Sequence, residues 1–488
     1  MDRRRFAIRT YGCQMNVHDS EKVANLLHHA GLDAADEAEA DVLVVNTCSI
    51  RDKAEQRLYT DLGLLRAWKA ERPGRLVGVG GCVAQQQGDA ILERFPQVDF
   101  VFGTHNLRFV PAMVAEAARG QRSARTEETR DLDRFDLPQR HPAYASPSPG
   151  RAFVTVMEGC DLYCTFCIVP QTRGREISRP ADDIVAEAQT LADEGVCEIT
   201  LLGQTVNAYG RHDLRRDRAD RAGTVAFAEL LRRLDRIPGL ERIRYTSPHP
   251  IFFDAALVRA HGELEHLCPH VHLPLQSGSD AILERMRRRY DRESFLGIAQ
   301  ALRRARPDLT LTSDLIVGFP GESEADLQAT LDTVEQAGFA DSYSFKYSPR
   351  PGTKAAQEPG QIDPGVAQDR LERLQALQRR LTLAYHRSRV GERTEILIEG
   401  PSARARRGGP AQVAGRDPHQ RVVNLAVRVA GDAPIPQPGE RVPVEIVDAT
   451  PHSLLGTQIP LRAVKTAAGS ADEDLRNAVL SVSGPGSL

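Results

Sequence analysis

The sequence is poor in lysine, in long apolar runs and in net charge. Six Lys, at positions 22, 53, 69, 346, 354 and 465, stand among 63 basic residues in a chain of 488. An Arg bias suits bidentate phosphate contacts, but bias alone names no partner. The formal net charge of -3 carries no overall nucleic-acid signature, so any RNA-binding surface has to be a local patch. No stretch approaches the ~18 apolar residues that a membrane span needs. The opening residues lack the apolar core of a signal peptide and run straight into a strand. No internal repeat is present. These absences argue against a membrane or secreted protein and set a cytoplasmic location as the expectation. The eight Cys then point to metal binding or catalysis more than to disulfides.

A hydrophobic fraction of 41% with 26% charged residues describes a globular chain of roughly three domains. Residues 1–119 alternate strands (6–11, 41–46, 75–79, 98–102) with helical patterns such as 20–30 and 51–70, which predicts a doubly wound parallel sheet. Residues 120–145 turn polar and Pro/Ser-rich and read as a linker. A second alternating series fills 146–389. Its six β-like runs (151–157, 198–202, 242–247, 270–275, 309–317, 342–348) suit a partial (β/α)6 barrel with its active site at the C-terminal strand ends. Residues 210–221 read as an inserted surface loop. An amphipathic helix follows at 366–389, with Leu371, Leu374, Leu381 and Tyr385 on its apolar face. Short alternating strands at 390–463 predict a small OB-like β-barrel. The Ala/Gly/Ser-rich tail 464–488 is expected to be disordered.

The chemistry concentrates in Cys. Cys160, Cys164 and Cys167 lie on one short loop after a predicted strand. Three thiolates can hold three corners of a cubane cluster and leave the fourth iron open. Zinc is the alternative, but structural zinc wants four closed ligands, and no His stands between His141 and His212 to complete the set. The spacing favours iron–sulfur. Cys13, Cys48 and Cys82 are scattered, yet each follows one of the first three strands of the N-terminal region. In a parallel sheet those ends share one edge, so the position favours a convergent metal site over three buried core thiols. Cys197 and Cys268 fall at strand starts and read as core thiols.

These residues together resemble a known family. Cys160-x-x-x-Cys164-x-x-Cys167, with Phe166 before the third Cys, looks like the cluster loop of radical S-adenosylmethionine (SAM) enzymes. The three strand-end Cys segments resemble the N-terminal domain of the methylthiotransferases, and the C-terminal barrel is similar to a TRAM domain. Tyr11-Gly-Cys-Gln-Met-Asn-Val-His18, Asn46-Thr-Cys-Ser-Ile-Arg51 and Tyr347-Ser-Pro-Arg-Pro-Gly-Thr353 fit the branch that modifies isopentenyladenosine. Gln14 and Met15 fit neither the branch that acts on threonylcarbamoyladenosine nor the one that acts on a ribosomal protein.

The resemblance implies two 4Fe-4S clusters, an auxiliary one on Cys13, Cys48 and Cys82 and a SAM-binding one on Cys160, Cys164 and Cys167. SAM is implied as both radical source and methyl donor, with Phe166, Gly203, Gln204 and Gly318 near it. Many radical enzymes carry Gly-Gly-Glu where Gly203-Gln204 stands here. The implied product is a methylthio group at C2 of N(6)-isopentenyladenosine beside the anticodon. The partners implied are the tRNA anticodon loop and a reducing electron donor, with a monomer as the expected state. Arg404, Arg406 and Arg407 are candidate RNA contacts, with a solvated loop as the alternative. A non-catalytic iron–sulfur RNA-binding protein is the rival class.

Overall fold

The computed structural model describes residues 3–49, 52–129, 132–135, 138, 140–141, 148–212, 223–426 and 435–459. The tail expected to be disordered, and most of the inserted loop at 210–221, lie outside these residues. By packing, the chain forms two compact units: residues 1–147 with 151–376, and 148–150 with 377–488. Among the described residues no helix is long and apolar enough to cross a membrane.

The first unit opens with six parallel strands: β1 (Arg5–Thr10), β2 (Asp33–Ala34), β3 (Val42–Thr47), β4 (Leu76–Gly81), β5 (Phe100–Phe102) and β6 (Ser123–Arg125), in the order β2-β1-β3-β4-β5-β6. Val42, Val44, Phe100 and Phe102 pack on one face and Leu43, Val45, Val77 and Val101 on the other. Both faces are therefore buried, as the Val-rich runs require. Helices α1 (Gln14–His29), α2 (Asp52–Glu71), α3 (Cys82–Gln87), α4 (Asp89–Arg94) and α5 (Val110–Ala118) fill the crossovers. Two expectations need correction. Strand β6 lies inside the stretch expected as linker, because its backbone pairs with β5 although its three residues carry little apolar signal. Helix α1 begins at Gln14, well before the predicted residue 20, with Cys13 at its N-cap where Ser, Thr or Asp would have marked the start.

The same unit continues into two three-stranded parallel halves. One is β7 (Arg151–Thr155), β10 (Glu198–Leu202) and β11 (Arg242–Tyr245), with β10 in the middle. The other is β12 (His270–His272), β13 (Thr310–Val317) and β14 (Asp341–Lys346). A parallel bridge between Ile243 and Leu267 links the halves, giving six strands in the order of a partial barrel. Met157–Glu158 (β8) and Ile177–Ser178 (β9) form a short antiparallel pair that brackets the cysteine loop. Charged and polar side chains are buried between the sheet and the barrel of this unit. Arg173, 2% exposed, meets Asp19 of α1, also 2% exposed, at 2.6 Å. Lys22 reaches Thr155 at 3.3 Å, and Thr104 donates to the Thr172 carbonyl at 2.6 Å.

The expected apolar face on the 366–389 helix is also corrected. In the observed helix, Pro364–Ser388, the fully buried stripe is Ala367, Arg370, Leu374, Gln378, Thr382 and His386, while Leu371, Leu381 and Tyr385 are only partly buried. Polar partners explain it: Arg370 pairs with buried Glu322 at 2.8 Å, and His386 bonds the Thr450 carbonyl at 2.7 Å. The second unit closes five strands, Arg393–Pro401, Gln412–Arg416, Val422–Ala426, Arg441–Ala449 and Leu454–Gln458, into a barrel around Ile396, Val423, Val444 and Ile446. Arg389 and Asp417 form a buried ion pair within this unit.

Candidate metal centres

Cys13, Cys48 and Cys82 meet at the C-terminal edge of the N-terminal sheet. Cys13 follows β1, Cys48 follows β3 and Cys82 starts α3 directly after β4. Two glycines let these ends close up. A Cβ on Gly12 would stand 2.4 Å from the Cys48 Cβ, and one on Gly81 would stand 2.2 Å from the Thr47 carbonyl; both residues have positive φ. Buried Asn16 accepts from the Cys13 thiol at 3.3 Å and donates to the Thr47 carbonyl at 3.1 Å, tying two strand ends together.

Cys48 shares hydrogen bonds with both other thiols. Those bonds lower Cys13 to about 6 and Cys82 to about 7, helped by the Arg173 charge, and push Cys48 well up. Thr47 Oγ1, Ser49 Oγ, Asp19 Oδ1 and Arg173 Nη1 are buried here with no hydrogen-bond partner among the described residues. Buried polar atoms are rarely left so. Three thiols ringed by orphaned polar atoms fit a polar, sulfur-ligated guest.

The loop at Cys160, Cys164 and Cys167 is walled by Leu162, Phe166, Val169, Ile251 and Phe252. Burial pushes Cys167 up to about 12 and raises Cys160. In such surroundings these two thiols keep their protons unless a cation replaces them. The loop is held in place by backbone bonds. Gly159 N donates to the Gln204 side chain at 2.5 Å and Cys160 N to the Gly174 carbonyl at 3.2 Å. Thr165 donates through its backbone N to the Met286 carbonyl at 3.1 Å and through its hydroxyl to the Arg285 carbonyl at 2.9 Å. Arg289 donates to the Leu162 carbonyl at 3.2 Å.

Two side chains touch the thiols directly. Thr205 Oγ1 lies 3.1 Å from the Cys160 sulfur, and Arg288 Nη1 donates to the Cys164 sulfur at 3.4 Å. Among the described residues no three His, Cys, Asp or Glu side chains are grouped about a single ion. Structural zinc would need that grouping; a cubane needs only thiolates bordering one cavity, each on its own iron.

Three segments match known families: residues 5–103 the uncharacterized protein family UPF0004, 154–334 the radical SAM superfamily and 387–459 the TRAM domain. The tRNA-2-methylthio-N(6)-dimethylallyladenosine synthase of Mycobacterium sp. (strain MCS) is 45% identical over 485 residues, covering 96% of this chain and 91% of its own. That of Mycobacterium ulcerans (strain Agy99) is 47% identical over 478 residues, covering 97% and 87%. The chain belongs to the tRNA-2-methylthio-N(6)-dimethylallyladenosine synthase family. The solved radical SAM methyltransferase TsrM from Kitasatospora setae superposes with a TM-score of 0.53 at 14% identity, covering 73% of this chain and 74% of that one. That likeness extends to the fold.

Against this synthase family's outline, the remaining site residues distribute unevenly. Phe166 packs both on the cysteine wall and on the cluster of Ile282, Met286 and Phe319. Gln204 turns to the cysteine loop, and Gly203 packs so tightly on Met157 that a Cβ would come within 2.6 Å of its side chain. Gly318 donates its N–H to Glu322 at 2.7 Å and abuts Ala367, so packing accounts for this glycine without a cofactor. Arg404, Arg406 and Arg407 are exposed on a short turn after the first barrel strand, which Ser402 caps through Ala405 N at 3.1 Å. Cys268 is buried and Cys197 partly so. Sequence reading missed Arg173, Thr205 and Arg288. The run Arg287-Arg288-Arg289-Tyr290 was the only available signal for the last.

Proposed function

We propose that the protein is a radical-SAM methylthiotransferase that adds a methylthio group at C2 of N(6)-isopentenyladenosine beside the anticodon in tRNA. The observation that carries the reading is two cysteine trios in one compact unit, on a chain whose relatives at 45–47% identity bear this activity in their name. Those names favour this acceptor over threonylcarbamoyladenosine or a ribosomal protein. In this reading residues 1–119 hold an auxiliary 4Fe-4S cluster on Cys13, Cys48 and Cys82. Residues 146–389 hold the SAM-binding one on Cys160, Cys164 and Cys167, and 390–463 bind RNA. The protein works as a cytoplasmic monomer served by a low-potential electron donor.

A cluster with an open iron, together with SAM, supplies one-electron chemistry able to break an unactivated C–H bond. The chain's own residues prepare the place for it. The apolar wall of Leu162, Phe166, Ile251 and Phe252 excludes water from the cysteine loop. Gln204, Gly174 and Thr165 fix that loop's backbone, so the three thiols are held with little freedom. At the other trio, the lowered pKa values of Cys13 and Cys82 ready two ligands as thiolates near neutral pH. Arg173 balances their charge from the segment that follows the cysteine loop. Arg404, Arg406 and Arg407 offer cations to phosphates of a single-stranded loop.

Mass spectrometry of tRNA nucleosides from a deletion strain tests the reading. Loss of the methylthio-isopentenyl nucleoside with accumulation of its unmodified precursor is expected. An unchanged pool would rule the assignment out. About eight irons per reconstituted chain are expected from two cubanes.

A further inference from the structure

The segment from Arg285 to Tyr290 reaches the cysteine loop at four points: Thr165 twice, Cys164 and Leu162. Its centre is Arg288, 6% exposed, set between two non-glycine residues in the left-handed region, Arg287 at φ 56° and Arg289 at φ 61°. Such backbone is costly and persists where the surroundings enforce it, commonly at working sites. The guanidinium is held on all sides. Nε donates to the Tyr290 hydroxyl at 3.1 Å, Nη2 to the Pro274 carbonyl at 3.5 Å and Nη1 to the Cys164 sulfur at 3.4 Å. Tyr290 is fixed in turn through the Pro274 and Leu275 carbonyls at 3.0 and 2.8 Å. An arginine guanidinium keeps its proton at working pH, so the group is cationic.

We propose that Arg288 is a positioning residue that sets the reduction potential of the iron–sulfur cluster held by Cys160, Cys164 and Cys167. The inference rests on the function proposed above. When that cluster takes one electron from a low-potential donor, it gains one negative charge in a largely buried site. A fixed cation hydrogen-bonded to a ligand sulfur stabilises the reduced form more than the oxidised form, which raises the potential. Thr205, on the Cys160 sulfur, does the same more weakly because its hydroxyl carries no charge.

The test uses full-length protein with Cys13, Cys48 and Cys82 replaced by Ala, reconstituted anaerobically so that only the loop site loads. Redox titration is followed by electron paramagnetic resonance, with iron per chain measured alongside. Arg288→Gln is expected to shift the midpoint to more negative potential, Arg288→Lys to shift it less, and Thr205→Val to shift it least, all with iron retained. An unshifted midpoint in iron-replete Arg288→Gln overturns the proposal. If the Gln variant fails to load, Arg288→Lys decides: a negative shift supports the proposal, and an unchanged midpoint refutes it. Loss of iron from both variants also refutes it, since Arg288 then assembles the site and does not tune it. A parent that loads no iron at all sinks the functional reading itself.

Discussion

Cys13, Cys48 and Cys82 arrive from three strand ends and share hydrogen bonds inside a polar shell. Cys160, Cys164 and Cys167 lie within eight residues of one another against an apolar wall. The first site is made by long-range topology and the second by local sequence. Their electrostatics differ accordingly: in the first, Cys13 and Cys82 are lowered while Cys48 is pushed well up, and in the second Cys160 and Cys167 are both raised. In the proposed reading the first site thus offers two near-thiolates beside one thiol that keeps its proton, and the second at least two thiols that release protons when metal enters.

The largest expected effect separates the sites by deletion. Cys160→Ala should abolish nucleoside modification and remove about half the iron, leaving the signal of the other trio. Cys48→Ala should also abolish methylthiolation while SAM cleavage by reduced protein continues. If both variants lose SAM cleavage equally, the division of labour fails.

Next in size is Arg173→Met, which leaves Asp19 buried without its partner. Breaking such a pair costs about 3–5 kcal/mol, read as a large fall in thermal unfolding temperature. Gly81→Ala should come third. Its positive φ and the Thr47 carbonyl oppose a Cβ, costing about 1–3 kcal/mol and reducing iron at the scattered trio only. Normal iron there would show that the strand ends need no such approach.

The subtlest contrast is in pH. Metal binding releases protons from thiols that are protonated beforehand. The loop site has to release them from both Cys160 and Cys167, whereas the scattered trio has to release one from Cys48, since Cys13 and Cys82, at about 6 and about 7, are already largely ionised in mild alkali. Lowering pH from about 8 to about 7 should therefore weaken iron reconstitution more steeply at the loop site. Iron counts on each single-site variant check this, and equal slopes would erase the contrast.

The grouping of each trio was legible in the sequence for different reasons. The loop announces itself by spacing. The scattered trio follows from parallel topology, since strands recognised by their Val-rich runs put their C-terminal ends on one edge. What stayed hidden depends on partners distant in sequence. Arg173 and Asp19 are 154 residues apart, and Arg288 and Cys164 are 124 apart, so no periodicity connects them. The early start of α1 was hidden because a cysteine occupies its N-cap. The buried stripe of the 364–388 helix misled because Arg370, Gln378 and His386 lie inward. An apolar pattern does not register side chains whose burial rests on hydrogen bonds.

One stretch of chain, from Cys160 to Arg173, serves both sites: it starts with a thiol of one and ends with a cation beside the other. The two halves of this unit are therefore not interchangeable parts. A chimera that joins this N-terminal sheet to a foreign barrel inherits the scattered thiols without their counter-charge, unless the graft also carries Arg173 at its present distance from the loop. Single-residue insertions between Cys167 and Arg173 should be among the least tolerated in the chain, even though they alter no ligand.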